Sequence, residues 1–201
     1  MGKDMSNALK LVLASGSPRR RDLLRQVGVT DFTIRVPDVE EVLPDGLPPR
    51  ETVEAVSRQK AEASGAAPDE LIITADTMVF LDGLRLGKPR DESDALRMLT
   101  ALQGRRHTVC TGVTVRNGPR FLTRSEATDV TFRPASRDTL LRYIATGEPM
   151  DKAGAYGLQE RGVLLVERVD GDFTNVIGLP LPLLDRMLAE FDFHLLSSRR
   201  K

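Results

Sequence analysis

Residues Leu11 to Leu24 read LVLASGSPRRRDLL. Leu11, Val12, Leu13 and Ala14 make an apolar run of buried-strand length, and the leucines after Asp22 continue as a helix. Ser17 is a good N-cap residue, and Pro18 takes the first helical position, where its missing N–H costs nothing. Arg19, Arg20 and Arg21 then fall at the positive end of the helix dipole, where cations are disfavoured. A strand-to-helix turn with bare N–H groups and arginines is suited to hold phosphate oxygens. The alternative is that the three arginines are solvated and pair with acids elsewhere.

Outward from this unit, strand and helix signals alternate. FTIRVP (Phe32 to Pro37) reads as a strand, followed by the Pro/Gly-rich loop LPDGLPP. Arg50 to Ser64 reads as a helix with Val53, Val56, Lys60 and Ala63 on one face, so Lys60 either snorkels outward or reaches into a cleft. ELIITADTMVFLDGLRL reads as a buried strand ending in an Asp82–Gly83 hairpin turn. Asp91 to Leu102 is a helix, and the long stretch from His107 to Phe132 is a hairpin turning at Asn117–Gly118. Ser136 caps a helix through Ile144, GVLLVERV is a strand, and Pro180 to Phe191 closes the chain as a helix before the tail SSRRK. Helices between strands with an antiparallel hairpin give an α/β class with a mixed sheet.

The 201 residues fit one domain, and the 29 basic and 29 acidic side chains cancel. That balance argues against a protein that coats nucleic acid or an anionic membrane, while leaving room for a local basic pocket. Cys110 is the single cysteine, which excludes an internal disulfide and a cysteine metal cluster and fits a reducing cytosol. No apolar run reaches membrane-spanning length, and MGKDMSNALK has no signal-type segment before Leu11. A soluble, cytoplasmic protein is expected.

Asp76 interrupts the apolar strand ITADTMV. A buried carboxylate must be hydrogen-bonded, paired or bound to a metal; it caps local backbone, or serves as metal ligand or general base. Lys88 in LGKPRD is either surface decoration or, with Lys60, part of a ring of cations around a polyphosphate. GEPMDKAGAYGLQ (Gly147 to Gln159) has three glycines and small alanines that permit close backbone approach, with Asp151, Lys152 and Gln159 as polar groups. Glu40 and Glu41 are exposed acids, one of which could help hold a divalent cation. His107, alternating with Val109 and Val113, reads as packing or edge decoration, and Asn175 as a cap. Walker A, dinucleotide, zincin and nucleophile-elbow motifs are missing from the sequence.

LASGSPRR, RQKA, ADTMV, KPRD, GEPMDKAGAYGLQ and NVIGLPL, in this order from Leu13 to Leu181, resemble the Maf family of nucleoside triphosphate pyrophosphatases. The resemblance implies a mixed-sheet α/β fold like that of inosine triphosphate pyrophosphatases, with two lobes around a central cleft. It implies one two-lobed domain, ordered from about residue 8 to 192 with 193–201 as a tail, and a homodimer. It also implies Asp76 as the catalytic acceptor, and Arg19, Thr77 and Gln159 as the positions tied to base selection. Ser15 and Ser17 belong to the substrate turn, Arg20, Lys60 and Lys88 match phosphate-binding cations, and Glu41 joins Asp76 near a divalent Mg²⁺ or Mn²⁺. The DKAGAYG-x-Q form is similar to the branch acting on dTTP and UTP. A nucleotide-sensing regulator of cell division with little turnover, and the methylated-GTP branch, are the alternatives. Thr74 stands where a glycine is usual before ADT, and Gly87 where a glutamate often precedes KP.

Overall fold

A computed structural model describes residues 9–44 and 46–197. The N-terminal stretch before Leu9 and the tail from Ser198 lie outside them, and with them the expectation of no signal segment and most of the SSRRK tail. The first unit forms as read: β1 (Lys10–Leu13) runs into α1 (Pro18–Gln26), whose Leu23 and Leu24 are fully buried. β2 is shorter than FTIRVP, only Thr33–Ile34. It pairs in parallel with Val12 and Leu13, and the Arg35 amide adds one more bond to Leu13. Pro37 has no N–H with which to continue the ladder.

α2 (Pro49–Ala63) leads to β3 (Glu70–Leu81), which turns at Asp82–Gly83 into β4 (Leu84–Leu86). α3 (Glu92–Leu102) is capped by the Asp91 carboxylate, which accepts the Asp94 N–H at 2.7 Å. β5 (Arg106–Asn117) and β6 (Arg120–Phe132) form the long hairpin, and α4 (Arg137–Ile144) is capped by Ser136. Three 3-10 turns follow, at Glu148–Asp151, Ala153–Ala155 and Arg161–Leu165. β7 (Val166–Asp170) therefore begins four residues later than GVLLVERV suggests. The reason is local: the amides of Arg161 and Gly162 are taken by the Glu148 carboxylate and cannot enter a sheet. α5 (Phe173–Ile177) and α6 (Leu181–Ala189) end the regular structure.

The sheet order is β2-β1-β3-β5-β6-β7, with β4 also on β3. β1 and β2 run parallel, as do β1 and β3; the remaining pairs are antiparallel. On one edge β3 pairs with β1 through Ile73 and with β4 from Val79 onward. Between them Thr74 to Met78 pair only with β5, on the other edge. The sheet thus has a notch, bounded by the turn into α1 on one side and by the segment after β4 on the other.

The core is divided at the same place. One apolar cluster packs α1 and α6 on Leu71, Ile73 and Ala75, and it reaches Leu195, so packing runs past the boundary expected at 192. A second packs α3 and α4 on Val79 and Leu81. The opposite face of β3 carries α2 through Val53, Val56, Met78 and Phe80. α2 lies very close to the sheet at Gly112, where a Cβ would come 2.2 Å from the Val53 carbonyl oxygen. Gly112 is the register partner of Asp76, so that close approach sets α2 over Asp76. No helix among the described residues is long and apolar enough to cross a membrane.

Candidate active site

The notch opens into a cavity of about 520 Å³, lined by six basic side chains against three acidic ones. Its floor is Asp76, 7% exposed. Lys60, two turns along α2 from the Gly112 contact, donates from Nζ to Asp76 Oδ1 at 2.7 Å and lies 2.9 Å from Glu41 Oε1. Glu41 is held there by Gln59, whose side-chain amide pairs with both the N–H and the carbonyl of the adjoining Val42. Among the described residues Asp76 Oδ2 is buried and has no partner.

Arg20 comes from α1 and, among the described residues, is bound by neutral acceptors alone: Gly178 O at 2.8 Å, Ser15 Oγ at 3.1 Å and Thr77 Oγ1 at 3.2 Å. Burial pushes its pKa down and Arg19 adds to this, while the charges of Asp76 and Glu41 offset only a part. Thr77 is backed by Thr111 Oγ1 at 3.0 Å. Ser17 holds the N-cap position, but its side chain does not cap; the first turn of α1 has neither a side-chain cap nor an acid. This corrects the capping role read for it: Ser17 lines the cleft, and its own N–H is bound by Ser15 Oγ at 3.2 Å. Arg19 pairs with Asp151 at 3.0 Å across the cleft mouth, and Lys152, 6% exposed, pairs with the other Asp151 oxygen at 2.8 Å. Burial raises the Asp151 pKa, but the hydrogen bonds from Lys152 and Arg19 outweigh it and hold it at about 2.

Of the residues singled out from sequence, Ser17, Arg19, Arg20, Glu41, Lys60, Asp76, Thr77, Lys88 and Gln159 all line this cavity. Ser15 stands behind it, touching Arg20. Arg21 does not line it and turns toward Asp22. Thr74 also turns away: its hydroxyl donates to Ser57 O at 2.7 Å and ties α2 to β3, so it does not shape the pocket. Gly87 does line it, and its carbonyl accepts the Gly154 N–H at 3.0 Å. Asn175 is not a cap. Asp172 caps α5, while Asn175 is fully buried and donates to Val109 O and Thr128 Oγ1. His107 is a core residue, its Nε2 2.8 Å from the Tyr156 hydroxyl.

Arg85 was missed by sequence reasoning. It lies on β4 opposite Phe80, is exposed and lines the cavity. Neither Arg85 nor Lys88 has an acidic partner among the described residues. The signal was the Asp82–Gly83 turn, which folds Arg85 back beside β3 just ahead of Gly87 and Lys88.

The family model described as Maf-like protein matches residues 10–191. The chain belongs to this family. Maf-like relatives named dTTP/UTP pyrophosphatase include that of Moorella thermoacetica, 50% identical over 186 residues covering 90% of this chain and 95% of the relative. The one from Bacillus velezensis is 47% identical, covering 91% and 97%; that from Chromobacterium violaceum is 43% identical, covering 94% and 98%. Among solved structures, the Ham1 protein of Staphylococcus aureus superposes with a TM-score of 0.52 at 15% identity, covering 90% of this chain and 99% of that one. The HAM1 protein of Coxiella burnetii gives 0.50, also at 15%. That likeness places the Maf-like chain in the mixed-sheet α/β fold expected from sequence.

Proposed function

We propose that this chain hydrolyses dTTP and UTP to the nucleoside monophosphate and pyrophosphate. The observation that carries the reading is the pairing of a buried, unpartnered Asp76 oxygen with an excess of cations around one notch. A triphosphate brings about four negative charges. The uncapped α1 N-terminus, Arg20, Lys60, Lys88 and Arg85 offset them, and the mutual repulsion of these cations is relieved by the ligand. The names of relatives at 43–50% identity support the same substrates.

The residues fit a divalent cation. Asp76 Oδ2 is free, Glu41 stands on the other side of Lys60, and no group of three or more His, Cys, Asp or Glu side chains among the described residues could hold a metal alone. One or two carboxylates completed by substrate phosphates is how Mg²⁺ is commonly held. Bound there, Mg²⁺ or Mn²⁺ would supply a lowered water pKa and charge neutralisation on phosphate oxygens. Glu41 and the substrate phosphates would hold such a cation beside Asp76, whose Oδ2 stays open to accept the proton of the attacking water as the water oxygen bonds to the α-phosphorus. The bond from the α-phosphorus to the bridging oxygen breaks, and pyrophosphate leaves with that oxygen. Lys60 and Arg20 stabilise charge on the phosphoryl oxygens. Gln159 offers one donor and one acceptor, matching the N–H and adjacent carbonyl of uracil or thymine. Cytoplasmic location and assembly as a homodimer complete the proposal; light scattering of the purified protein checks the latter.

Asp76→Asn is expected to abolish pyrophosphate release from dTTP and UTP while nucleotide still binds. Pyrophosphate release on a nucleotide panel with Mg²⁺ or Mn²⁺, beside calorimetric binding, measures both, and undiminished turnover rules Asp76 out.

A further inference from the structure

Gln159 is exposed at the cleft, and its side chain makes no hydrogen bond within the described residues. Its direction therefore depends on the backbone that carries it. That backbone is closed from beneath on Glu148, a carboxylate 9% exposed that the site chemistry above does not use. Oε1 accepts the Gly162 N–H at 3.0 Å and the Tyr143 hydroxyl at 2.9 Å; Oε2 accepts the Arg161 N–H at 2.9 Å. The Tyr143 oxygen in turn accepts the Gly157 N–H at 3.3 Å. Both ends of the turn Gly157–Arg161 are thus tied to one buried pair. Burial, and then the Glu148 carboxylate, raise the Tyr143 pKa, so its hydroxyl remains a donor.

Packing leaves the turn no slack. A Cβ at Gly157 would lie 2.6 Å from Lys152 Cε, and one at Gly162 would lie 2.4 Å from Gly157 O. Lys152 is itself bound to the Glu148 carbonyl at 2.7 Å. A carboxylate taken out of water is costly unless it is hydrogen-bonded, and here the acceptors are spent on the Tyr143 hydroxyl and on the two amides that follow Glu160. A two-point contact between an amide and a base edge needs placement within a few tenths of an ångström.

We propose that Glu148 is a positioning residue for base selection, fixing the Gly157–Arg161 turn so that the Gln159 amide meets the uracil or thymine edge in one pose. This rests on the pyrophosphatase reading above and extends it to a residue that touches no substrate. Glu148→Gln puts an NH₂ against one of the two backbone N–H donors and frees the turn.

The test compares kcat/KM for UTP and CTP with calorimetric affinity for inorganic tripolyphosphate, which has no base. Glu148→Gln is expected to lower the UTP preference about tenfold and to leave tripolyphosphate affinity within about twofold. A role in folding alone lowers the melting temperature and moves both measurements together, which overturns the inference. So does an unchanged preference in a folded variant. If Glu148→Gln does not fold, Tyr143→Phe removes one donor and one acceptor of the same pair; it should cost about threefold in preference, and no change overturns the inference. A wild type that binds tripolyphosphate but releases no pyrophosphate from UTP or CTP overturns the pyrophosphatase reading as well, whereas a preference untouched by either substitution sinks only the role of Glu148.

Discussion

Among the described residues Arg85 and Lys88 are the exposed cations of the cleft without an acid; Arg20 is bound by neutral acceptors inside the fold, and Arg19 and Lys60 are already matched by Asp151, Asp76 and Glu41. A charge with no internal partner loses nothing when a phosphate arrives. Arg85→Ala is therefore expected to raise KM for UTP about five- to tenfold with little change in kcat, as charge-assisted contacts to phosphate are worth about 1.5–3 kcal/mol before solvent screening. Steady-state kinetics at two ionic strengths checks this, and the difference from wild type should shrink as salt rises. At this scale much was legible in sequence. Asp76 betrayed itself by breaking an apolar run, and Lys60 by falling on an inward helical face. What escaped was pairing in space: nothing in the spacing of Arg19 and Asp151 announces that they meet, and Arg85 looks like one more surface arginine until the register of β4 is known.

Among elements, α2 and β5 illustrate how a site can depend on a residue that is not in it. Gly112 lets the Val53 carbonyl sit where any Cβ would be, and the resulting approach brings Lys60 onto Asp76. Gly112→Ala is expected to push α2 outward, destabilising the fold by about 1–3 kcal/mol. It should also reduce turnover by more than the loss of folded protein explains, since the Lys60–Asp76 contact lengthens. A thermal melt beside activity per folded molecule separates the two effects. Helix existence and the β5–β6 hairpin were readable from periodicity and turn residues. The late start of β7 was not, because it is set by a carboxylate from Glu148, fourteen residues before the Gly162 amide it engages. The glycines of Gly147 to Gln159 hinted at close backbone approach but could not say which groups crowd there.

For the whole molecule, acid sensitivity is expected to trace to His107. Burial pushes its pKa from 6.5 down to about 4, so between these values the unfolded chain holds a proton that the folded one does not. Stability from the neutral buried ring is fully present above pH 6.5 and is lost as pH falls toward about 4, a span worth roughly 3 kcal/mol. Melting temperature should drop through that window in the wild type and drop less in His107→Phe, whose ring stays beside Phe132 and Tyr156. Below about pH 4 a second loss is expected as Asp151, held at about 2, begins to take up protons and releases Arg19 and Lys152.

A strand edge whose peptide groups lack a neighbour is ordinarily an invitation to self-association, because another chain can lay its own strand along it. Thr74 to Met78 present such an edge in the middle of β3. It is recessed behind the α1 turn and the Gly87–Lys88 segment, so an extended polypeptide has no straight approach to it. The indentation that admits a compact, highly charged guest is thereby closed to aggregation.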